Sequence, residues 1–339
     1  MAIGYALMLT AALLLQAEAV AQDDGRYVRL VNLYRGGQPE EAIRELRGLD
    51  AAVVKAFIGR RAPGVDDRGL QASSLLETEL AMTLAERSRW EEADAHVEAA
   101  WQISSLIETP WHRLSFQRDW LLSVGLFHHQ LIFVNVNVAE EAFVRADRSL
   151  HTAVQLYPND PEVLLAAGSL LEWSGSLREG ERAHLKEAEE LYARALRRAP
   201  DEPEILLRHG LVLEKLEKED EAAPPLRRVL EVDARKDLIY RSRMVLGRMA
   251  ERAGRLPEAI AHYEAAADAI PSWQVAYVAL GHALHRSGSH DRAREALDRA
   301  LAMNMKSADA TLGGWWSYEL GIALRFDPLF ERLRAEVMR

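Results

Sequence analysis

Histidine is the side chain best suited to acid–base or metal chemistry near neutral pH, and eleven are scattered along this chain. His282 and His285 stand three apart, which puts both on one helix face, and His290 follows in the next turn. In principle the three could hold a metal ion. Two histidines at this spacing make a sparse ligand set, so they read instead as groove or surface residues. His128 and His129 are adjacent and point about 100° apart on a helix, which suits chelation poorly. A second candidate is the basic aromatic cluster Trp111, His112, Arg113, Arg118 and Trp120, able to stack on a sugar or an arginine-binding partner. Aromatics this dense on a helix more often pack a core. The pairs Glu40-Glu41, Glu91-Glu92 and Glu140-Glu141 fall near helix starts, where negative charge contributes ~0.3–1 kcal/mol against the helix dipole. No phosphate loop, nucleophile elbow or H-E-x-x-H motif occurs, and there is no cysteine to act as a thiolate or zinc ligand. The expectation is a chain with no catalytic residue, no metal and no cofactor.

The elements that carry these residues are helical. Ala, Leu, Glu and Arg dominate the 339 residues, a composition that favours helix. A net charge of -10 argues against a general nucleic-acid binder, which needs a basic surface. Ala2 to Leu15 is an apolar run followed by Ala19-Val20-Ala21, which reads as an export signal (residues 1–21) cleaved after Ala21. No Lys or Arg precedes that run. No later apolar stretch is long enough to span a bilayer, so the mature chain is expected in the periplasm or outside the cell.

Internal periodicity decides the fold class. Four first helices carry a small-residue notch at Ala167-Gly168, His209-Gly210, Leu246-Gly247 and Leu280-Gly281. Seven residues on, Gly175, Gly254 and Gly288 mark the approach of a second helix, with Glu217 in the remaining unit. The second helices align at Ala188, Ala222, Ala259 and Ala293, then Tyr192, Leu226, Tyr263 and Leu297, then Ala195, Val229, Ala266 and Ala300. Spacings of four and three place these on one helical face. Helices approach to about 8–10 Å only where small residues let them cross. This pattern resembles the tetratricopeptide repeat, a helix-turn-helix unit of about 34 residues, and Gly247 to Gly281 repeats after 34. The resemblance is strongest over residues 161–307. It implies an all-α fold, an α-solenoid of antiparallel helix pairs wound into a right-handed superhelix.

Upstream, residues 22–59 read as one degenerate unit and residues 70–160 as two more, with Arg60 to Gly69 as a loop between. Leu131 to Val138 alternates like a strand but lacks a partner strand, and reads as the end of a long helix. Residues 308–339 are expected to seal the last hydrophobic face as capping helices.

The resemblance also implies a concave groove lined by first helices, which in this family commonly holds peptide segments of other proteins. Positions opposite the packing notch give Glu172, Trp173, Leu207, Leu211, Arg241, Met244, Arg248, Arg252, His282, His285 and Arg286 as partner-binding residues. Early units thus offer acidic and apolar groups and later ones basic groups, which would lay an acidic peptide segment over the later units. The Lys/Asn/Arg set with which some members grip a C-terminal carboxylate does not align here. The reading is an exported, non-catalytic scaffold for protein partners. The alternative is a secreted enzyme or carbohydrate-binding protein on a superhelical frame, and a third possibility is self-association through terminal repeats.

Overall fold

The computed structural model describes residues 20–49, 51–177, 182–303, 318, 321–322 and 325–338. Its helices, in chain order, are α1 (residues 20–35), α2 (Pro39–Leu46), α3 (Ala51–Gly59), α4 (Asp67–Glu86), α5 (Trp90–Ser105), α6 (Pro110–Val134), α7 (Ala139–Leu156) and α8 (Pro161–Leu177). They continue as α9 (Arg182–Leu196), α10 (Pro203–Lys215), α11 (Glu219–Val229), α12 (Lys236–Arg252), α13 (Leu256–Ala269), α14 (Gln274–Arg286), α15 (His290–Ala302) and α16 (Phe326–Val337). No strand occurs among the described residues. The sequence starts its helices deliberately. Proline occupies the first or second position of α2, α10 and α13, where its missing N–H removes no helical hydrogen bond. Asp66 caps α4 by accepting the Gly69 N–H at 2.7 Å.

The chain forms two compact units. One comprises Met1–Phe127, Asn135–Ala139 and Phe326–Arg339, the other His128–Val134 and Glu140–Arg325. In the first unit α4 is the central helix and is buried along most of its length. Its buried polar side chains are matched by neighbours, as low-dielectric surroundings require. Tyr27 Oη donates to Glu77 at 2.6 Å, Tyr34 Oη to Glu79 at 2.7 Å, and Trp120 Nε1 to Thr78 Oγ1 at 2.7 Å. His96 Nδ1 lies 2.6 Å from Glu77, and Arg334 of α16 pairs with Glu79.

The second unit stacks hairpins α8/α9, α10/α11, α12/α13 and α14/α15, each helix packing on the next. Their closeness is set by the notch glycines. A Cβ added at Gly168 would lie 2.5 Å from the Tyr192 ring, at Gly210 2.5 Å from Leu226, and at Gly247 2.5 Å from the Tyr263 ring. All these distances are shorter than side chains tolerate. The aligned alanines, Tyr192, Leu226, Tyr263 and the following Ala or Val residues are buried as expected, whereas Leu297 is exposed. At the turns, Gly254 and Gly288 adopt φ of +74° and +82°, and Glu217 adopts +64° in the corresponding place.

Three local expectations need revision. Gly175 does not mark a turn: α8 runs on to Leu177, and Gly175 gives room to Leu185 of α9. The run Leu131 to Val138 splits between the end of α6 and a 3-10 turn, Val136–Val138, started by the Asn135 side chain accepting the Asn137 N–H. The C-terminal residues do not simply seal α15. Helix α16 packs on α4 within the first unit, while Tyr318 joins the core cluster of α10–α12 in the second. Residues 1–19 of the expected export signal, and Trp315-Trp316, lie outside the described residues. No described helix is long and apolar enough to cross a membrane.

The notch makes a graded prediction. Gly247→Ala drives a methyl into the buried Tyr263 ring and should destabilise the protein by about 1–3 kcal/mol. Gly281→Ala meets the exposed Leu297 side chain, which can move, and should cost measurably less. Urea unfolding of the two variants side by side checks the order.

Candidate functional site

Three of the four first helices place a glutamate four residues after the notch glycine, Glu172 after Gly168, Glu214 after Gly210 and Glu251 after Gly247, while His285 stands in that place after Gly281. The structure turns this repetition into a ladder. Lys215 Nζ donates to Glu172 at 2.9 Å, Arg252 Nη2 to Glu214 at 2.5 Å, and Arg286 Nη1 to Glu251 at 3.1 Å. Every one of these cations stands five residues after the next notch glycine, so each rung joins consecutive hairpins. Arg248 adds a bond to Glu214 at 3.0 Å, and His282 Nδ1 lies 2.7 Å from Glu251. The second helix contributes where it carries tyrosine: Tyr192 Oη donates to Glu172 and Tyr263 Oη to Glu251, both at 3.0 Å.

Where α8, α10 and α12 lie side by side, the charges go deep. Glu172 (0% exposed), Arg208 (1%) and Arg241 (2%) are fully buried. Arg208 donates to Glu172 at 3.1 Å and, through Nε, to Glu204 at 3.2 Å. Burial pushes the Glu172 carboxyl up, yet Lys215 and Arg208 hold it below the usual carboxylate range. Tyr318 closes the cluster. Its ring centroid lies 4.5 Å from the Arg208 guanidinium and 4.2 Å from that of Arg241, and its carbonyl accepts from Arg208 Nη2 at 3.3 Å. Trp273 lies 5.4 Å from Arg241 on another side.

Of the residues expected on the groove, Arg248, Arg252, His282, His285 and Arg286 are exposed on first helices, and Trp173 and Met244 are half-buried. Glu172, Leu207, Leu211 and Arg241 are buried instead. Leu207 and Leu211 share one apolar cluster with Tyr318, and the two charged residues are drawn in by the ion pairs and ring contacts just described. The basic end is also less basic than its sequence suggests, because Glu214 and Glu251 engage its arginines. Tyr318 and Arg208 were not among the expected groove residues, whereas Glu204, expected there, is buried. The glutamate spacing was readable in advance; Tyr318 lies 110 residues from Arg208 and carries no local signal.

The other candidates settle differently. Trp120 is buried, its ring edge-on to Trp101 at 5.1 Å, and so offers no stacking surface. The side chains of Trp111, His112 and Arg113 lie outside the described residues. His285 Nδ1 faces His290 Nδ1 at 3.3 Å while His282 is taken by Glu251. No group of three or more His, Asp or Glu side chains suited to a metal ion occurs among the described residues. His129 is buried beside the Phe133 ring, and burial together with the Arg208 cation lowers its pKa to about 3.

Two predictions follow from these charges. Glu172→Ala leaves the buried Arg208 with Glu204 as its one carboxylate and should cost about 3 kcal/mol in urea unfolding, whereas Arg248→Ala, at an exposed pair, should cost under about 1 kcal/mol. His129 stays neutral when folded but takes up a proton at its ordinary pKa when unfolded. Its contribution is therefore whole above about pH 6.5 and is lost as pH falls toward 3, at up to about 1.4 kcal/mol per pH unit. The urea midpoint followed from pH 7 to 4 should fall less steeply in His129→Phe than in the native chain.

Comparison with known proteins places these hairpins. Tetratricopeptide repeat profiles match residues 177–238, 220–272 and 275–305. No curated protein sequence matches the chain. Among solved structures, a crystal structure of MamA is similar with a TM-score of 0.45 and 19% identity, over 57% of this chain and 96% of that one. MamA from Desulfovibrio magneticus RS-1 gives 0.43 and 22%, over 53% and 98%. YrrB, described as a TPR protein with an unusual peptide-binding site, gives 0.39 and 21%, over 60% and 89%. The matched segments cover the hairpins α10/α11, α12/α13 and α14/α15, with their notch glycines and the cation side of each rung, so that residues 177–305 carry tetratricopeptide repeats.

Proposed function

We propose that this chain is an exported, non-catalytic scaffold whose first-helix face on α12 and α14 captures an acidic segment of a partner protein. The tetratricopeptide repeats support a role in protein interaction. The observation that carries the finer reading is the placement of Arg248, Arg252, His282 and Arg286, all exposed and all on that face. Glu214 and Glu251 hold these side chains in fixed orientations, each rung engaging one terminal nitrogen of its arginine. A guanidinium has five N–H donors in a planar fork, so donors remain to meet a carboxylate from outside. Such pre-orientation reduces the side-chain entropy lost on binding. Export is supported by the apolar Ala2–Leu15 run and the Ala19-Val20-Ala21 tripeptide.

The test is crosslinking in intact cells followed by affinity capture. The double variant Arg248→Glu plus Arg286→Glu should recover at least tenfold less partner while its circular dichroism matches the native chain. Intact mass of the captured chain should place its first residue at Gln22. Undiminished capture by the folded double variant sinks the groove assignment, and a retained residue 1 sinks the export reading.

A further inference from the structure

The residue before each notch glycine changes along the second unit: Ala167, His209, Leu246 and Leu280. In the later hairpins it is a full-sized side chain. His209 Nε2 lies 3.5 Å from Glu189 of α9, and Leu246 and Leu280 are buried in apolar clusters. At the first notch only a methyl group stands there, and beside Ala167 a cleft of about 200 Å³ opens between α7, α8 and α9. This junction lacks the side chain that its successors supply for themselves.

The walls of the cleft define what fits it. Leu150 of α7, Leu170 of α8 and Leu191 of α9 line it, and all three belong to the second unit. Its rim carries Asp147 from α7 and Glu187 and Glu190 from α9. None of these three carboxylates has a hydrogen-bond or ion-pair partner among the described residues. Asp147 follows the buried Ala146 as Glu189 follows the buried Ala188, so the acid that meets His209 at the next junction has its counterpart here, unanswered. Two other polar groups on the rim are committed: Arg194 donates to the Pro158 carbonyl at 2.7 Å, and His151 lies 2.9 Å from the Gln155 amide. The cleft is smaller than sites for small organic ligands, which start near ~300 Å³, and suits one long side chain.

We propose that the cleft receives an arginine side chain inserted by a partner protein. The methylene stem covers the leucines, as long basic side chains do, while the guanidinium reaches the rim. Its planar fork carries five N–H donors and can engage carboxylates of α7 and α9 together, where a lysine ammonium is a point charge. The guest restores at this junction what His209 provides at the next: a body that fills the space beside the notch and a nitrogen facing the acid. The assignment goes beyond the capture of an acidic segment by α12 and α14. Its rim lies on second helices, it selects the opposite charge, and it stands whether or not that other face binds.

The experiment titrates N-acetyl-arginine amide into the full chain carrying isotope-labelled leucine methyl groups and follows them by NMR. The signals of Leu150, Leu170 and Leu191 should shift saturably, with a dissociation constant near ~1 mM, as one anchored side chain supplies. The citrulline analogue, similar in shape but uncharged, should bind at least tenfold more weakly. Ala167→His, which sets in the cleft the side chain used at the next junction, should abolish the shifts. Asp147→Asn plus Glu187→Gln, at positions outside the core, should weaken binding at least tenfold and serves if Ala167→His unfolds. Equal binding of the arginine and citrulline analogues, no saturable shift at tens of millimolar, or undiminished binding by the double variant overturns the proposal. So does a concentration-dependent dimer of the native chain that Ala167→His abolishes, because it assigns the cleft to a second copy. Arg248→Glu plus Arg286→Glu should leave the titration unchanged, so this inference and the acidic-segment reading fail separately.

Discussion

The close passage of two helices over a glycine governs the second unit. At Gly168 and Gly247 the space a methyl would need is filled by a tyrosine ring from the following helix. That ring fixes how near the helices lie, and its hydroxyl then reaches the glutamate one turn beyond the glycine. Packing and electrostatics are thereby coupled through one side chain. Where leucine replaces the tyrosine, at Leu226, the corresponding Glu214 is held instead by two arginines of the next hairpin. The carboxylate is never left to face a low-dielectric interior by itself, which would cost several kcal/mol.

The hairpins were legible because their signal is local and repeated. Glycine, alanine and tyrosine at fixed offsets admit few arrangements of two helices joined by a short turn. The exposed arginines and histidines of α12 and α14 followed from that frame. The occupant of the face between α8, α10 and α12 did not. Arg208 and Tyr318 are brought together by the tertiary fold, and nothing in the residues around Tyr318 announces that contact. Charge patterning misled for a related reason. Reading Arg241 as a groove residue treated it as solvated, whereas a ring on either hand and a dense apolar cluster draw it inside.

The first unit was harder to read, for the opposite reason. Its central helix α4 buries Ser73, Glu77, Thr78 and Glu79, residues that a hydropathy pattern assigns to the surface. Their partners Tyr27, Tyr34, Trp120 and Arg334 come from three other helices, so the polar core exists only once the fold is complete. Satisfied networks of this kind favour one arrangement over its competitors, because a slipped helix would leave several groups without partners at once.

The ladder of glutamates has a bearing on how such a chain can lengthen. The two middle hairpins, α10/α11 and α12/α13, each carry the acid of one junction and the base of the one before it, at offsets counted from their own glycine. Either of them copied in tandem would therefore arrive with both halves of a working joint, and the seam between original and duplicate would be neutralised from the first generation. Growth by whole hairpins, with residues between them free to vary, is the change this architecture resists least.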